Sequence, residues 1–489
     1  MLVCFQQRVL HHVLRVLGMA THEQAEAIGH FLRPHKEPLN RLSIAGRRVL
    51  DERGVLSLDA AVRREVRSVR IEPSAHSLIV RGAGPLLANF DYLERCSRAA
   101  KVTECRLHAM LRRLVLLLAV IPVAVVLSPR SHAQRTERHL YAALPGVGGG
   151  NNLAYGGAGI LVFDIDRGHK FVKRVPLHGA VPPADGARTD SRSTQEAIKG
   201  IAADARTARL YVSTSRRVAA YDLLTDTLVW EQHYDGRGTD RIALSPDGTT
   251  LYAPSLGAPK WIVADAATGQ PIASIGKPGT AHNTQFSDDG ARVYFESQGN
   301  TRTMSVVDAK TRSIVKEIGP FGNVVRPFTF NGRQTLLFAN INGLLGFEVA
   351  DLASGSIRYH VEVPGVAPGR SPTHGIPSHG IAMTADESEI WIADNANNYI
   401  RIFDATVMPP TMKTSVKVRD EPGWITFGID GTLVYPSTGD VIDVRTKQII
   451  GTLQDEHGVN AESEKMLEID FTNGKPTAAG DQFGKGRKR

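Results

Sequence analysis

The sequence predicts an all-β fold: a seven-bladed β-propeller of four-stranded blades, whose first blade is closed by a C-terminal strand. Three observations lead to this expectation. A unit of 40-odd residues recurs through about two thirds of the 489-residue chain. Within each unit apolar and polar residues alternate, and Pro, Asp and Gly mark the turns. The first and last copies are incomplete in complementary ways. Four short strands per unit of this length make one propeller blade.

Each repeat contains the same four predicted strands. In "RIALSPDGTTLYAPSLGAPKWIVADAATGQPIASI", which starts at Arg241, a first strand ends at the turn Ser245–Gly248 and an alternating strand follows. A third strand ends in Asp265, and a Thr-Gly turn leads to a fourth. The first strands start at spacings of 41, 42, 44, 53 and 44 residues, namely at Ile201, Ile242, Thr284, Phe328, Ile381 and Ile425.

The two ends of the repeat array predict how the ring closes. Residues 138–177 have the second, third and fourth strands of a unit but no first strand. Near the C-terminus, "KMLEIDFTNGKP" reads as a first strand and a turn, and its Ile469 lies 44 residues beyond Ile425. We expect this strand to complete the first blade, which brings the count to seven and removes a free sheet edge.

The repeats resemble the YVTN-type β-propeller repeat family of exported bacterial and archaeal proteins. The resemblance rests on "SPDGTTLYA", "SDDGARVYF", "VVDAKTRSIVKEI" and "VADAATGQPIASI" and covers roughly residues 138–475. It implies the seven-bladed architecture, which is also that of lactonase-like and quinoprotein-like propellers. It implies no activity.

A segment inside the chain has the order of a secretory signal peptide. In "MLRRLVLLLAVIPVAVVLSPRSHAQ", residues 110–134, two arginines precede an apolar run and small residues precede a predicted cleavage between Ala133 and Gln134. The apolar run, Leu114–Leu127, is shorter than the roughly 20 residues of a membrane span. We therefore expect a periplasmic or secreted product with no stable membrane span.

The signal peptide defines the predicted domains. Residues 1–109, rich in Arg and His, are expected to be a non-native or disordered extension ahead of an initiator at Met110, or else a cytoplasmic or regulatory region. Residues 110–133 are the signal peptide, residues 134–480 the propeller, and residues 481–489 a solvated basic tail.

Charge and cysteine content exclude some function classes. Residues 1–133 carry 20 Lys and Arg against 11 Asp and Glu, whereas the remainder carries 38 against 39. The exported part therefore lacks the basic surface that nucleic-acid binding requires. All three cysteines precede the signal peptide, so the exported part has neither disulfides nor thiolate chemistry. We expect it to be a monomer.

The loops that enter the first strands carry the candidate binding residues. Two places before each first-strand start, the chain has Lys199, Asp240, His282, Arg326, His379 and Gly423. Five of these six residues, all except Gly423, have an ionisable or imidazole side chain. If the first strands start where the repeats place them, these five side chains form a ring at one channel mouth that binds an anionic or polar ligand. The histidines would be acid–base groups or metal ligands. The alternative is an ordinary solvated rim.

The longest spacing contains a Pro/Gly-rich insertion, residues 364–380, which is expected to lie over the same mouth as a partial lid. It adds His374 to the candidate ligand-binding residues, and with His379 and His282 this residue could share a metal. No H-E-x-x-H or similar motif is present, so the sequence predicts no metal and no cofactor.

Three functions follow, in this order. The first is a non-catalytic scaffold that binds a protein, glycan or small ligand on one propeller face. The second is a lactonase-like hydrolase that uses the His, Arg and acidic residues of the mouth. This second function is favoured if His282, Arg326 and His379 point into one pocket within hydrogen-bond reach of each other, and the scaffold is favoured if they point into solvent. The third is a quinone-dependent dehydrogenase, suggested only by "AYDLLTDTLVWE" at residues 220–231.

Overall fold

The computed structural model describes residues 68–71, 78–81, 136–148, 153–177, 196–234 and 238–487. The chain divides into two units, residues 1–130 and 131–489. In the first unit, β1 (Ser68–Ile71) and β2 (Leu78–Arg81) form an antiparallel hairpin. The predicted signal peptide and its cleavage site lie outside the described residues. No helix within the described ranges is long and apolar enough to cross a membrane.

The second unit is a seven-bladed β-propeller, as the repeat predicts. In blades 2 to 7 the four strands of each antiparallel sheet follow one another from the channel outwards, whereas the sheet of blade 1 also contains strands from the C-terminus. Blade 1 contains β3 (Thr136–Leu144), β4 (Gly159–Asp164) and β5 (Lys170–Val175); blade 2, β6 (Ile198–Asp204), β7 (Arg209–Thr214), β8 (Val218–Asp222) and β9 (Leu228–Gln232); blade 3, β10 (Ala243–Leu244), β11 (Thr250–Pro254), β12 (Lys260–Asp265) and β13 (Pro271–Gly276); blade 4, β14 (Thr280–Phe286), β15 (Arg292–Gln298), β16 (Met304–Asp308) and β17 (Ser313–Ile318). Blade 5 contains β18 (Val325–Phe330), β19 (Leu336–Ile341), β20 (Gly346–Asp351) and β21 (Ile357–Glu362); blade 6, β22 (Ser378–Met383), β23 (Glu389–Asp394), β24 (Tyr399–Asp404) and β25 (Thr411–Lys417); blade 7, β26 (Ile425–Phe427), β27 (Leu433–Pro436), β28 (Asp440–Asp443) and β29 (Gln448–Thr452).

The C-terminus closes the ring, which confirms the prediction from the incomplete end repeats. Strand β30 (Met466–Thr472) pairs antiparallel with β3 along seven residues, from Ala142 opposite Met466 to Thr136 opposite Thr472. Strand β31 (Lys475–Ala479) adds a fifth strand beside β30, which the repeat does not predict. Because β3 would otherwise be an unpaired edge, this pairing holds the two ends of the propeller together.

The hydrophobic core consists of seven clusters, one between each pair of neighbouring blades in the described structure. Blades 3 and 4 meet through Trp261, whose ring stacks on Phe295 at a centroid distance of 4.1 Å. Blades 7 and 1 meet through the buried Tyr435 and Leu140. Each sheet is thus covered on both faces, which explains why apolar residues occupy both faces of the middle strands.

The recurrent Asp at the end of each third strand stabilises the turn that follows it. Asp265 accepts hydrogen bonds from the backbone N–H and the hydroxyl of Thr268, at 2.9 and 2.8 Å. Asp308 does the same for Thr311. The turn also needs a left-handed residue, which is Gly269 in blade 3 with φ of 72° but Arg312 in blade 4 with φ of 57°. The repeated Asp is therefore a turn residue and not a candidate for chemistry.

The C-terminal segment, residues 480–487, does not form the expected solvated tail. Gln482 and Phe483 are buried, at 1% and 9% exposure. The backbone N–H of Gly486 donates to Phe330 O at 3.1 Å, and that of Arg487 donates to Ala385 O at 3.2 Å. These acceptors lie at or just beyond the ends of inner strands, so the segment crosses the channel at the face where those strands end. The basic residues at the end of the chain directly follow the buried side chain of Phe483. The net charge of the segment does not predict this burial.

Candidate ligand and metal site at the channel mouth

Four of the predicted ring residues stand at the same kind of backbone irregularity. It directs them to the mouth of the channel that lies opposite the face crossed by the C-terminal segment. In blades 2, 4, 5 and 6, the pairing of the inner strand with its neighbour shifts register at the point where the candidate residue stands. Lys199, His282, Arg326 and His379 lie inside these shifts and are skipped by the strand ladder. Such β-bulges redirect side chains and recur beside binding sites. The sequence phase located these positions, and the bulge explains why they face the mouth.

Glycine follows two of the bulge residues because the neighbouring blade approaches closely there. A Cβ at Gly200 would lie 2.9 Å from the Cα of Arg241. At Gly380, where φ is +147°, a Cβ would lie 3.1 Å from the Cα of Trp424. Any side chain at these positions would push the next inner strand away, and a left-handed φ adds strain at Gly380.

The six predicted ligand-binding residues gather around this mouth. His282 Nε2 lies 3.5 Å from Asp240 Oδ2, and the rings of His374 and His379 stack at a centroid distance of 4.2 Å. Arg326 stands near enough for its positive charge to oppose protonation of both His282 and His379. Lys199 acts in the same way on Lys465, which precedes the closing strand. What these residues bind is a separate question.

His282 is held between two carboxylates. Its Nδ1 lies 2.5 Å from Oε2 of the buried Glu296, on the neighbouring strand β15, and its Nε2 faces Asp240. Burial lowers the pKa of His282, but the charges of Glu296 and Asp240 outweigh burial and raise it. This histidine therefore belongs to a separate ion-paired group, apart from His374 and His379.

The insertion folds over the mouth and brings His374 onto His379. Glu421, from the loop before β26, accepts hydrogen bonds from the hydroxyl of Ser371 and the backbone N–H of Thr373. The same carboxylate lies 3.1 Å from Nδ1 of His374, whose Nε2 lies 2.6 Å from Oε1 of Glu464. Burial lowers the pKa of His374, but Glu464 and Glu421 raise it to about 9.

His379 has the opposite electrostatic character. Its Nδ1 lies 2.9 Å from the carbonyl oxygen of Gly423. Because a carbonyl only accepts, Nδ1 carries the proton and Nε2 has a lone pair in the neutral ring. Burial, together with the positive charge on His374, lowers the pKa of His379 well below its usual value. Gly423, which lies two places before β26 and was not among the predicted ligand-binding residues, contributes this carbonyl.

Glu464 is the buried acid at the centre of this group, with 2% of its surface exposed. Its Oε1 accepts from the backbone N–H of Gly148 at 2.9 Å and faces His374. Its Oε2 faces Lys465 Nζ at 2.7 Å and Arg241 Nη2 at 3.6 Å. Burial raises the pKa of Glu464, but Lys465 and His374 outweigh it and hold the carboxylate ionised. Within the described residues, His374, His379 and Glu464 have ligand atoms within 4.8 Å of one another.

The floor of the mouth is a stack that joins the site to the C-terminal segment. The guanidinium of Arg241 lies 3.4 Å above the ring of Trp424, and its Nη1 donates to the Oε1 of Gln482 at 3.1 Å. Trp424 Nε1 donates to Gln482 O at 2.5 Å. Phe483 packs edge-on against the same tryptophan. The mouth is therefore a cup with a solid floor and not an open tunnel.

The sequence pattern identified Asp240 but missed the glutamates of the site and Lys465. Glu296 lies on a second strand, Glu421 lies in a loop, and Glu464 and Lys465 directly precede β30. In the closing strand, the position two places before the predicted start Ile469 is Leu467, and this residue belongs to the hydrophobic core. The cluster "ESEK" at residues 462–465 was the one available signal, since charged residues rarely stand next to a buried strand without partners.

Comparisons with known proteins add nothing to this geometry: no protein-family model matches the chain, and no curated protein matches it.

Proposed function

We propose that this chain is an exported, YVTN-type propeller that serves as a binding scaffold and takes up a small anionic ligand in the cup at its channel mouth. Family membership rests on the repeat sequences quoted above, and export rests on the signal-peptide pattern of residues 110–133. The ligand class rests on the arrangement of charge around the cup.

Arg326 is the observation that carries the ligand class. Its Nε lies 2.5 Å from Asn342 Oδ1, and within the described residues this is its one hydrogen bond. The terminal amino groups are therefore available, at the position where the bulge aims them into the mouth. A guanidinium offers paired donors that match a carboxylate or a phosphate. Burial lowers the pKa of Arg326, and a bound anion would restore the lost stabilisation of its charge.

The hydrolase alternative receives less support from the same geometry. Within the described residues no hydrogen bond joins His282, Arg326 and His379 to one another. His282 and His374 each face a carboxylate at both ring nitrogens, so neither has a lone pair to accept a proton while it is charged. The dehydrogenase alternative also loses its signal, because Trp230 donates to Ala266 O at 3.1 Å and packs between blades 2 and 3.

Ligand binding is tested by thermal shift and calorimetry on the purified protein with gluconate, citrate and inorganic phosphate, and with glucose as a neutral comparison. We expect at least one anion to bind, and Arg326→Gln to weaken that binding about 10- to 100-fold, the value of a charged hydrogen bond. Arg358→Gln is the control, because Arg358 lies on the outer strand β21 with its side chain 54% exposed. Equal anion binding by Arg326→Gln and the parent protein would refute the ligand class.

The same sample screened against a panel of lactones separates scaffold from enzyme. If the protein hydrolyses a lactone and His379→Gln loses this activity, the hydrolase becomes the proposed function in place of the scaffold. Export is tested by sequencing the N-terminus of the native protein: we expect it at Gln134, and peptides from residues 1–109 in the native protein would contradict the proposed start at Met110.

A further inference from the structure

The cluster of His374, His379 and Glu464 has the composition of a transition-metal site. Two imidazoles and one carboxylate are the protein ligands of His₂Glu zinc centres and of the facial triad that holds Fe(II). Glu464 and His379 are 2% and 8% exposed, and the His374 side chain is 6% exposed. Three polar side chains this buried, two from the insertion and one from the segment before β30, are not an ordinary solvated rim.

The outward hydrogen bonds of the two histidines provide an independent indication of a metal. Metal-binding histidines usually donate their second ring N–H to a carboxylate or a backbone carbonyl, which fixes the tautomer and the ring orientation. His374 Nδ1 faces Glu421 at 3.1 Å, with the Asn395 amide nitrogen at 3.2 Å beside it, and His379 Nδ1 faces the Gly423 carbonyl at 2.9 Å. Both arrangements assign Nε2 as the inward-facing ligand atom. At His374, a metal ion would take the place of the proton that Nε2 shares with Glu464, and this proton would be released on binding.

The two oxygens of the Glu464 carboxylate have different partners. Lys465 and Arg241 both face Oε2. Oε1 faces His374 Nε2 and also accepts from the backbone N–H of Gly148, so a cation that replaces the His374 proton would bind at the second lone pair of this oxygen. Hydrogen bonds to a ligating carboxylate are part of a typical metal site. Ligand bonds of about 2.0–2.2 Å keep neighbouring ligand atoms roughly 3–3.5 Å apart. Ligand atoms that already lie within 4.8 Å reach this spacing through side-chain adjustments of about 1 Å.

We propose that His374 Nε2, His379 Nε2 and Glu464 Oε1 bind one divalent transition-metal ion at the channel mouth. The ion has three protein ligands, so its remaining coordination positions face the cup that Arg326 borders. Glu421 and the Gly423 carbonyl act as positioning groups that orient the two imidazoles. The metal site does not depend on the anion proposed above: metal binding is measured without any organic ligand, and anion binding by Arg326 is measured separately.

The test is metal analysis of the purified full chain, followed by chelation and titration with Co²⁺ and then Zn²⁺. We expect one equivalent of Co²⁺ to give visible d–d absorption, and Zn²⁺ to displace it. His374→Ala and His379→Ala should each weaken binding at least 100-fold, and Glu421→Gln should weaken it about 10- to 100-fold, as loss of an outer hydrogen bond does. His360→Ala is the control, since this histidine also contacts two carboxylates but its side chain is 51% exposed.

A second measurement protects the test against variants that fold poorly. Chelation should lower the melting temperature of the unmutated protein, and Zn²⁺ should restore it, because a ligand that binds only the folded state stabilises it. The proposal is overturned if the unmutated chain takes up no Co²⁺ or Zn²⁺. It is also overturned if His360→Ala loses as much binding as His374→Ala. Either result would leave His374 and Glu464 as a buried ion pair.

Discussion

Replacing Glu468 by glutamine should stabilise the propeller at neutral pH and have little effect in mild acid. Glu468 lies in the closing strand β30, opposite Leu140, and is 2% exposed. Its Oε2 accepts from the backbone N–H of Ile429 at 2.8 Å. In the described part of the chain, its Oε1 and Asp470 Oδ1 have no hydrogen-bond partner. Glutamine keeps an acceptor for Ile429 and offers an N–H to Asp470.

The sign and size of the effect follow from the protonation of this carboxyl. Burial raises the pKa of Glu468 from 4.5 to about 7; the hydrogen bond from Ile429 opposes the rise and the Asp470 carboxylate adds to it. Between these pH values the folded chain keeps a proton that the unfolded chain has lost, so stability falls as the pH increases. Below pH 4.5 both states are protonated and the penalty vanishes. Above pH 7 it amounts to about 3 kcal/mol, at 1.36 kcal/mol per pH unit.

The assay is denaturant and thermal unfolding of the parent protein and Glu468→Gln at pH 5 and pH 8. We expect a gain of about 2–3 kcal/mol at pH 8, which corresponds to about 3–4 °C for a folded unit of this size. At pH 5 we expect less than about 1 kcal/mol. Glu362→Gln is the matched control, because this side chain is 70% exposed. The reasoning would be refuted if the difference in unfolding free energy between Glu468→Gln and the parent protein were the same at pH 5 and pH 8.

Three further predictions concern the turns, the bulges and the C-terminal segment. Arg312→Gly should raise the unfolding free energy by about 1 kcal/mol in thermal melts, because a left-handed φ strains any residue with a Cβ; a lower melting temperature would contradict this. Gly380→Ala should lower the unfolding free energy by about 2–4 kcal/mol, since φ is left-handed and the added Cβ would lie 3.1 Å from the Cα of Trp424. Gly276→Ala, whose Cβ would lie 4.0 Å from its nearest neighbour, Pro259 O, should be tolerated in the same melts. Phe483→Ala should lower the unfolding free energy by about 2–4 kcal/mol, because Phe483 anchors the segment in the interior. No measurable change would instead support the prediction of a solvated tail.

Much of the fold was accessible from local pattern because a propeller repeats one local solution seven times. Period-2 alternation and turn residues predicted the strands, and the phase of the first strands located the inner strands in every blade. The incomplete ends predicted the closure through Ile469. Strand β31 was not predictable because it belongs to no repeat, although its partner β30 directly precedes it in sequence. The burial of Phe483 was not predictable because it depends on contact with Trp424, which lies in another blade.

Half of the candidate site was predictable. The spacing of the repeats identified Lys199, His282, Arg326 and His379, because equivalent positions in each blade must face the same mouth. The spacing could not predict which of these side chains contact one another or a carboxylate. His282 joins Glu296 and Asp240, and His379 joins His374 and Glu464, through contacts that depend on how the bulges and the insertion fold.

The sequence by itself therefore determined the architecture, the blade count and the face on which polar residues collect, since these follow from periodicity along the chain. The tertiary structure decided which charges meet. A buried carboxylate such as Glu464 acquires its character from Lys465, Arg241 and His374 at distances of a few ångströms. Electrostatic interactions in a poorly solvated interior depend on those distances, and spacing in sequence does not encode them.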